Sequence, residues 1–261
     1  MICIKTALIQ CYWKNKMSEL LILLPALVIG LLMMLIHVPL GQEVLRRGII
    51  FIDLSLAQLA AMGAIFSGML ELGSFFSQAA ALFCAFLGGL FFLEMEKHFK
   101  EIAEAVIGCT FVLSATLVIL VLAGHPHGAE HINDILSGQL LFADWQNVII
   151  AGTVFLIATM LVYAKPKVFL KKYFYVVLAV VITTSVQVCG VYLVFASLIF
   201  PAVATSYMTD SKKRRIIEYS GESFGFISGL IVSYYFDLPA GPAVVWGISL
   251  MMPICLIAKR K

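Results

Sequence analysis

The positions of the basic residues constrain this chain more than any other feature. The sequence contains 18 Lys and Arg, and beyond Met17 they all lie in short clusters separated by long apolar stretches. Cytoplasmic loops of membrane proteins retain Lys and Arg, whereas exported loops lose them. The pattern therefore indicates a polytopic membrane protein and orients it. The clusters are Arg46 and Arg47; Lys97 and Lys100; Lys165, Lys167, Lys171 and Lys172; Lys212 to Arg215; and Lys259 to Lys261.

The connections between these clusters contain neither Lys nor Arg. They lie near Glu71 and at 124–145, 189–190 and 237–241. We expect them to face outward and the C-terminus to face the cytoplasm, as in a multi-pass protein of the bacterial inner membrane. The outward side is acidic and would attract cations.

The apolar stretches between the clusters predict the fold class. The chain is 62% hydrophobic and 13% charged, and a spanning helix needs roughly 20 mainly apolar residues. We predict an all-α, polytopic helical membrane protein of eight to nine transmembrane helices. Long continuous apolar runs exclude a closed barrel, which needs alternating polarity. The predicted spans are 18–38, 48–70, 73–93, 104–123, 146–163, 173–188, 190–207, 222–236 and 242–258.

The domain organisation is simple apart from the first residues. We predict one transmembrane permease domain over 17–261. Residues 1–16 carry Lys5, Lys14 and Lys16, which would fall outside against the charge rule. Either translation begins at Met17, or 1–16 form a short interfacial extension. No Gly-rich phosphate loop with Lys-Ser/Thr occurs, so ATP hydrolysis would need another chain.

Small residues recur every four positions in the predicted span 222–236 and just before it. Gly221, Gly225, Gly229 and Ser233 share one helix face, and such faces let helix backbones approach closely in lipid. The face could form a moving or oligomeric interface, or it could serve static contact between helices.

Asp53 is the first candidate metal ligand. It lies about one turn inside the second predicted span, where an ionisable residue is costly and often functional. Gln58 follows five residues later and adds polar character to the helix. Alternatively, Asp53 pairs with Arg46 or Arg47 at the cytoplasmic interface and is purely structural.

The outward loop 124–145 contains the second group of candidate ligands. Imidazole and carboxylate groups suit zinc or manganese. A helical turn would place His127, His131 and Asp134 on one face. Alternatively, these residues hold the loop in place or dock a partner. The candidate ligands in the loop are His127, Glu130, His131 and Asp134.

Two further histidines and one basic cluster are not expected to bind a ligand. His37, at the end of the first span, and His98, in a charged connection, are expected to be structural. Lys212 to Arg215 lie beside a span, so we expect them to fix orientation and meet anionic lipid, not nucleic acid.

Four segments, in order, resemble the permease subunits of bacterial zinc/manganese-type ABC importers. The two C-terminal segments are the more specific, because their Pro and Gly residues interrupt apolar helices at set points. The segments are VPLGQEVLRRGIIFIDLSLAQLAAMG (38–63), DILSGQLLFADWQNV (134–148), VQVCGVYLVFASLIFPAVAT (186–205) and SYYFDLPAGPAVV (233–245).

This resemblance implies a transport subunit and not an enzyme. A second permease copy would complete a homodimer or heterodimer, and an extracytoplasmic metal-binding protein would deliver the metal. ATP would be bound and hydrolysed by separate ATP-binding subunits. No tightly bound cofactor is implied, only the transported zinc or manganese.

The chain departs from the family pattern in two places. Many members have Asp-x-x-x-His on the second helix, but here Asp53 is followed by Ala57 at the His position. The family also has a longer cytoplasmic segment before the sixth helix, which resembles a coupling helix for the ATPase. Here the corresponding segment, 163–174, is short and basic, so coupling could pass instead through 208–223.

Two other function classes compete with this interpretation. A secondary transporter or channel of the same fold, without ATP coupling, is favoured by the short 163–174 segment. The sequence shows no second intramembrane ionisable cluster for proton coupling, which argues against it. A membrane enzyme is disfavoured, because no nucleophile pairs with a base and the loop lacks an HExxH motif.

Overall fold

A computed structural model describes residues 2–70, 73–123, 133, 136–138 and 140–250, with the backbone alone for 2–22 and Ser74. Within these ranges the chain forms helices and short helical turns and no strands, which confirms the all-α prediction. The helices are α1 (Ile2–Arg47), α2 (Ile52–Met69), α3 (Ser74–His98), α4 (Ala103–Leu122), α5 (Trp145–Ala164), α6 (Phe174–Cys189), α7 (Val191–Ala204), α8 (Ser211–Phe236) and α9 (Ala240–Ser249).

Most of the described helices are apolar enough for a membrane. Five of them could cross it by length and composition: Leu23–Arg47 of α1, then α2, Phe75–His98 of α3, Lys100–Leu122 and α5. α6, α7 and α9 are shorter apolar helices. The predicted break at Gly190 separates α6 from α7, and the predicted hairpin of α2 with α3 is present.

Helix α1 forms the centre of the bundle and extends further than predicted. It packs against α5, α7 and α8, and it continues through Pro39 to Arg47 instead of ending near 38. Proline lacks the N–H that would bond the carbonyl four residues earlier. The Tyr219 hydroxyl donates to that carbonyl, on Leu35, at 3.2 Å. A side chain of α8 therefore replaces the missing bond.

Helices α8 and α9 pack closely because α8 carries small residues. An added Cβ on Gly225 would lie 2.7 Å from the Cα of Ile248, and one on Gly229 would lie 2.4 Å from the Cα of Val244. The small-residue face therefore packs against α9 within the chain, as the static interpretation predicted.

The basic clusters within the described residues converge at one end of the bundle, here called the basic end. Arg47 of α1 connects the basic clusters near Lys97 and Lys171. Its Nη1 donates to Glu96 at 2.6 Å, and its Nη2 donates to the carbonyls of Leu170 at 3.0 Å and Lys171 at 3.2 Å. Arg214 donates to Gln42 at 3.1 Å. Lys259 to Lys261 lie outside the described residues.

Three of the four connections without Lys or Arg, those at 124–145, 189–190 and 237–241, meet at the opposite end through glycine backbone. Gly138 and Gly190 both have positive φ, and an added Cβ on Gly190 would lie 2.3 Å from the backbone N of Gly138. An added Cβ on Gly241 would lie 2.2 Å from the carbonyl O of Ser137. We call Gly138, Gly190 and Gly241 the glycine junction. It explains why the 186–205 and 233–245 segments need glycine at these positions.

Candidate functional site

Asp53 lies on the first turn of α2, near the basic end. Its side chain is 1% exposed. Neither of its carboxylate oxygens has a hydrogen-bond partner among the described residues. A buried charge without a partner is costly, and the first-turn N–H groups of a helix offset only part of that cost. Either a proton or a bound cation would remove this cost at Asp53.

Within the part of the chain that it describes, the structure shows neither of the ion pairs that the structural alternative for Asp53 invoked, because both nearby arginines are bonded elsewhere. Arg46 bonds Glu43 through two nitrogens, at 2.6 and 2.9 Å. Arg47 bonds Glu43 at 2.8 Å as well as Glu96. Asp53 is left without either ion pair.

A second carboxyl, Glu104 of α4, accompanies Asp53. Its Oε1 accepts the backbone N–H of Phe51 at 3.2 Å, and its Oε2 is buried with no partner among the described residues. The Ser55 hydroxyl donates to the Ile107 carbonyl at 2.7 Å and so holds α2 against α4. Charge on Glu104 acts on Asp53. The sequence analysis missed Glu104, although an acid at the start of an apolar helix was a usable signal.

Gln58 belongs to a different environment from Asp53. It is buried and lines an apolar cavity of about 610 Å³ between α2, α4, α7 and α9, together with Phe111, Phe195 and Trp246. Five residues along a helix place two side chains roughly 140° apart. The structure does not bring Asp53 and Gln58 together, and Asp53 does not line this cavity.

Ala57, at the position where many family members have histidine, is buried. Ala57 is 1% exposed and lies one turn along α2 from Asp53, on the same face. Within the described residues, no group of three or more His, Cys, Asp and Glu side chains could hold a metal. A metal at Asp53 therefore needs ligands from outside the described part of this chain.

The loop candidates cannot be placed beside Asp53. His127, Glu130, His131 and Asp134 all lie outside the described residues. Asp144, which follows them, is described and caps α5: its Oδ1 accepts the backbone N–H of Asn147 at 2.8 Å. That carboxylate has a structural role.

The two histidines within the described residues have structural surroundings. His37 is fully buried, with Nδ1 2.6 Å from Ser197 Oγ and Nε2 3.0 Å from Ser185 Oγ, so it connects α1 with α6 and α7. His98 is exposed, and its Nδ1 lies 3.1 Å from the Glu94 carbonyl oxygen and 3.3 Å from the Glu94 carboxylate. Both agree with the expected structural roles.

Comparison with known proteins supports the family resemblance. Residues 165–259 match the ABC 3 transport family, a range that contains both C-terminal motifs. A Haemophilus influenzae protein named "probable iron transport system membrane protein" is 27% identical over 197 residues, covering 67% of this chain and 69% of that protein. The Listeria monocytogenes manganese transport system membrane protein MntC is 25% identical over 243 residues and 85% of each chain.

A solved structure shares the fold. PsaBC from Streptococcus pneumoniae, in complex with a Fab, superposes with a TM-score of 0.70 at 20% identity, over 90% of each chain. The family match, the two relatives and this shared fold together confirm the predicted resemblance to permeases of metal-type ABC transport.

Proposed function

We propose that this chain is the membrane-spanning subunit of an ATP-driven importer for a divalent metal, zinc or manganese. The observation that carries the proposal is Asp53, a buried carboxylate whose two oxygens lack partners among the described residues. The manganese-transport name of the Listeria relative supports manganese, while the ligand chemistry also suits zinc.

The charge asymmetry supports an orientation and a set of partners. The basic end would face the cytoplasm together with the C-terminus, and the glycine junction would face outward. An extracytoplasmic metal-binding protein would deliver metal at the outer end, and an ATP-binding subunit would dock at the basic end. A second permease copy would provide ligands that one chain lacks at Asp53. Because Asp53 is closed off in this conformation, alternating access would have to open a path to it.

The short 165–173 segment is the proposed contact for the ATP-binding subunit. It forms a single π-helical turn, Val168–Lys172. Arg47 donates to the carbonyls at Leu170 and Lys171, and its guanidinium lies 4.4 Å from the centroid of the Phe174 ring. The turn is thus fixed to α1 and, through Glu96, to α3. A segment anchored in this way could pass movement between an ATPase and the bundle.

Arg47→Lys is expected to uncouple transport. Lysine keeps the charge but cannot reproduce the forked bonds, each worth about 1.5–3 kcal/mol to a charged group. We expect metal uptake per ATP hydrolysed to fall several-fold in liposomes containing both subunits. Arg46→Lys is the matched control, because the Arg46 side chain is 60% exposed and bonds only Glu43 among the described residues. Coupling of Arg47→Lys equal to that of the control would refute this role.

The loop ligands lead to a separate expectation. Changing His127 and His131 to Ala together should weaken uptake at low metal and leave it normal at high metal, because the loss would lie in capture. The measurement is initial uptake against metal concentration. Unchanged uptake at every concentration would end the hypothesis that these histidines bind metal.

A secondary transporter or channel of the same fold is the alternative. One structural observation favours it: α8 begins at Ser211 and contains Glu218 and Glu222, two acidic residues that are buried in the bundle. In cells lacking their own zinc and manganese importers, the permease with its ATPase should restore uptake. An ATPase lacking its Walker A lysine should not. Uptake that survives this change would favour the alternative.

A further inference from the structure

Two acidic side chains of α8 lie inside the bundle near the basic end. Glu218 and Glu222 are both 0% exposed, and side chains one helical turn apart have Cβ atoms about 5–6 Å from each other. Helix α8 packs here against α1 and α7. The proposed transport function uses neither residue.

Glu218 is a carboxylate with partners. The Thr205 hydroxyl donates to its Oε1 at 2.5 Å, and the Gln42 amide donates to its Oε2. Arg214 donates to the oxygen of the same Gln42 amide group at 3.1 Å. Burial opposes the Glu218 anion, while these hydrogen bonds and the charges of Arg214 and Arg215 favour it.

Glu222 differs from Glu218 because its carboxyl group lacks hydrogen-bond partners within the described part of the chain. Both of its oxygens are buried and have no hydrogen-bond partner among the described residues. The charge that acts on it is that of Glu218. Its neighbour on α8, Tyr219, is bonded to Tyr163 and to the Leu35 carbonyl.

The helices packed against this part of α8 offer Glu222 no counter-charge. The described parts of α7 and α9 contain no Asp, Glu, Lys, Arg or His. The ionisable side chains of the described part of α1 are each bonded to another residue: His37 to Ser185 and Ser197, and Glu43 to Arg46 and Arg47.

We propose that Glu222 is a proton-binding site in the membrane-embedded core, connected to the basic end by Glu218. An unpaired carboxylate in such an interior is very costly, and two carboxylates one turn apart cannot both ionise cheaply. A proton on one oxygen of Glu222 removes both costs. In this state Glu222 is a neutral acid beside the charged, hydrogen-bonded Glu218.

The chemistry of the pair fits a proton better than a metal ion. Metal ions in proteins take four or more ligands, whereas the described residues contain no group of three His, Cys, Asp or Glu side chains that could hold one. Both oxygens of Glu218 are already hydrogen-bonded. A proton needs only one oxygen, and Glu222 has two to offer.

The proton has a route to the basic end. A cavity of about 710 Å³ opens there and is lined by Gln42, Tyr163, Ser206, Arg214 and Glu218. Glu222 lies one helical turn deeper, outside the lining. Glu222 would release the proton and become a carboxylate. Glu218 would take up this proton and then pass it to water in the cavity.

The test is the thermal unfolding midpoint of the purified full chain in detergent, between about pH 5 and about pH 8, for the wild type and Glu222→Gln. Unfolded Glu releases its proton near pH 4.3. If the folded chain keeps the proton to higher pH, its stability falls as pH rises. The unfolding equilibrium of the wild type should then shift by up to about tenfold per pH unit relative to Glu222→Gln. Glutamine imitates the neutral acid, so the variant should fold normally.

The control is Glu101→Gln, which changes an exposed carboxylate near the same end and should follow the wild type throughout. A midpoint difference between wild type and Glu222→Gln that stays constant with pH would overturn the proposal. A Glu222→Gln chain that fails to fold would also overturn it, since a neutral side chain would then not suffice. Stabilisation of the wild type, but not of Glu222→Gln, by Mn²⁺ or Zn²⁺ alone would replace the proton with a metal. The test needs neither ATP nor transport, so it can fail or succeed independently of the importer proposal.

Discussion

Asp53→Asn is expected to reduce metal uptake to background while the amount of permease in the membrane stays unchanged. The substitution keeps the shape of the side chain and removes the charge that would attract the metal. A charge-assisted contact is worth about 1.5–3 kcal/mol, so affinity should fall by roughly tenfold to more than a hundredfold. Folding should be preserved or improved, because the change removes a buried charge without a partner among the described residues.

The matched control for Asp53→Asn is Asp144→Asn. Asp144 is the N-cap of α5, and asparagine is an equally good N-cap, so this variant should transport normally. Uptake is measured with radioactive manganese and zinc in cells, with the permease quantified in the membrane fraction. Normal uptake by Asp53→Asn would demote Asp53 to a structural residue and remove the observation on which the proposed function rests.

Gly190→Ala is expected to destabilise the folded chain severely, with a lower yield and a lower thermal unfolding midpoint. Gly190 has φ 79° and ψ 161°, a conformation that essentially only glycine adopts, and strain of this kind costs about 1–3 kcal/mol. The added methyl group would also lie 2.3 Å from the backbone N of Gly138 and 2.5 Å from the carbonyl carbon of Ser137. Overpacking costs about 1–3 kcal/mol more. The total is a large share of the roughly 5–15 kcal/mol by which proteins are stable.

The control for Gly190→Ala is Gly108→Ala. Gly108 lies within α4, and a Cβ there would meet nothing within 4 Å. Alanine should be slightly stabilising at such a position, by about 0.5–1 kcal/mol. Folded protein is measured by yield and by the thermal unfolding midpoint in detergent. Wild-type yield and midpoint for Gly190→Ala would show that the glycine junction can relax, contrary to its close backbone contacts.

The main architecture could be predicted because its causes are local in the sequence. Lys and Arg are restricted by membrane insertion, so their positions predicted which connections lie at each end of the bundle. Gly190 interrupts an apolar run between two basic clusters, and this predicted the boundary between α6 and α7. Asp53 is an acid inside an apolar segment, so its burial followed from its position alone.

Other features depend on contacts between distant segments and could not be predicted in this way. Pro39 does not end α1, because a tyrosine far along the chain supplies the missing hydrogen bond. The burial of Glu218 and Glu222 was not predicted, because the span was predicted to begin only at 222. The helix begins at Ser211, where Asp210 caps it by accepting the N–H of Lys212 at 2.9 Å. The pairing of Glu104 with the start of α2 is likewise a contact between helices.

The most direct test of the importer proposal is reconstitution of the permease with its ATP-binding subunit in liposomes. ATP hydrolysis and metal uptake are measured together, with manganese, zinc or neither. We predict that one of these metals stimulates hydrolysis, that uptake requires ATP, and that Asp53→Asn removes both effects. Metal uptake that proceeds equally well without the ATP-binding subunit would contradict the proposal and identify a transporter of the same fold that works without ATP.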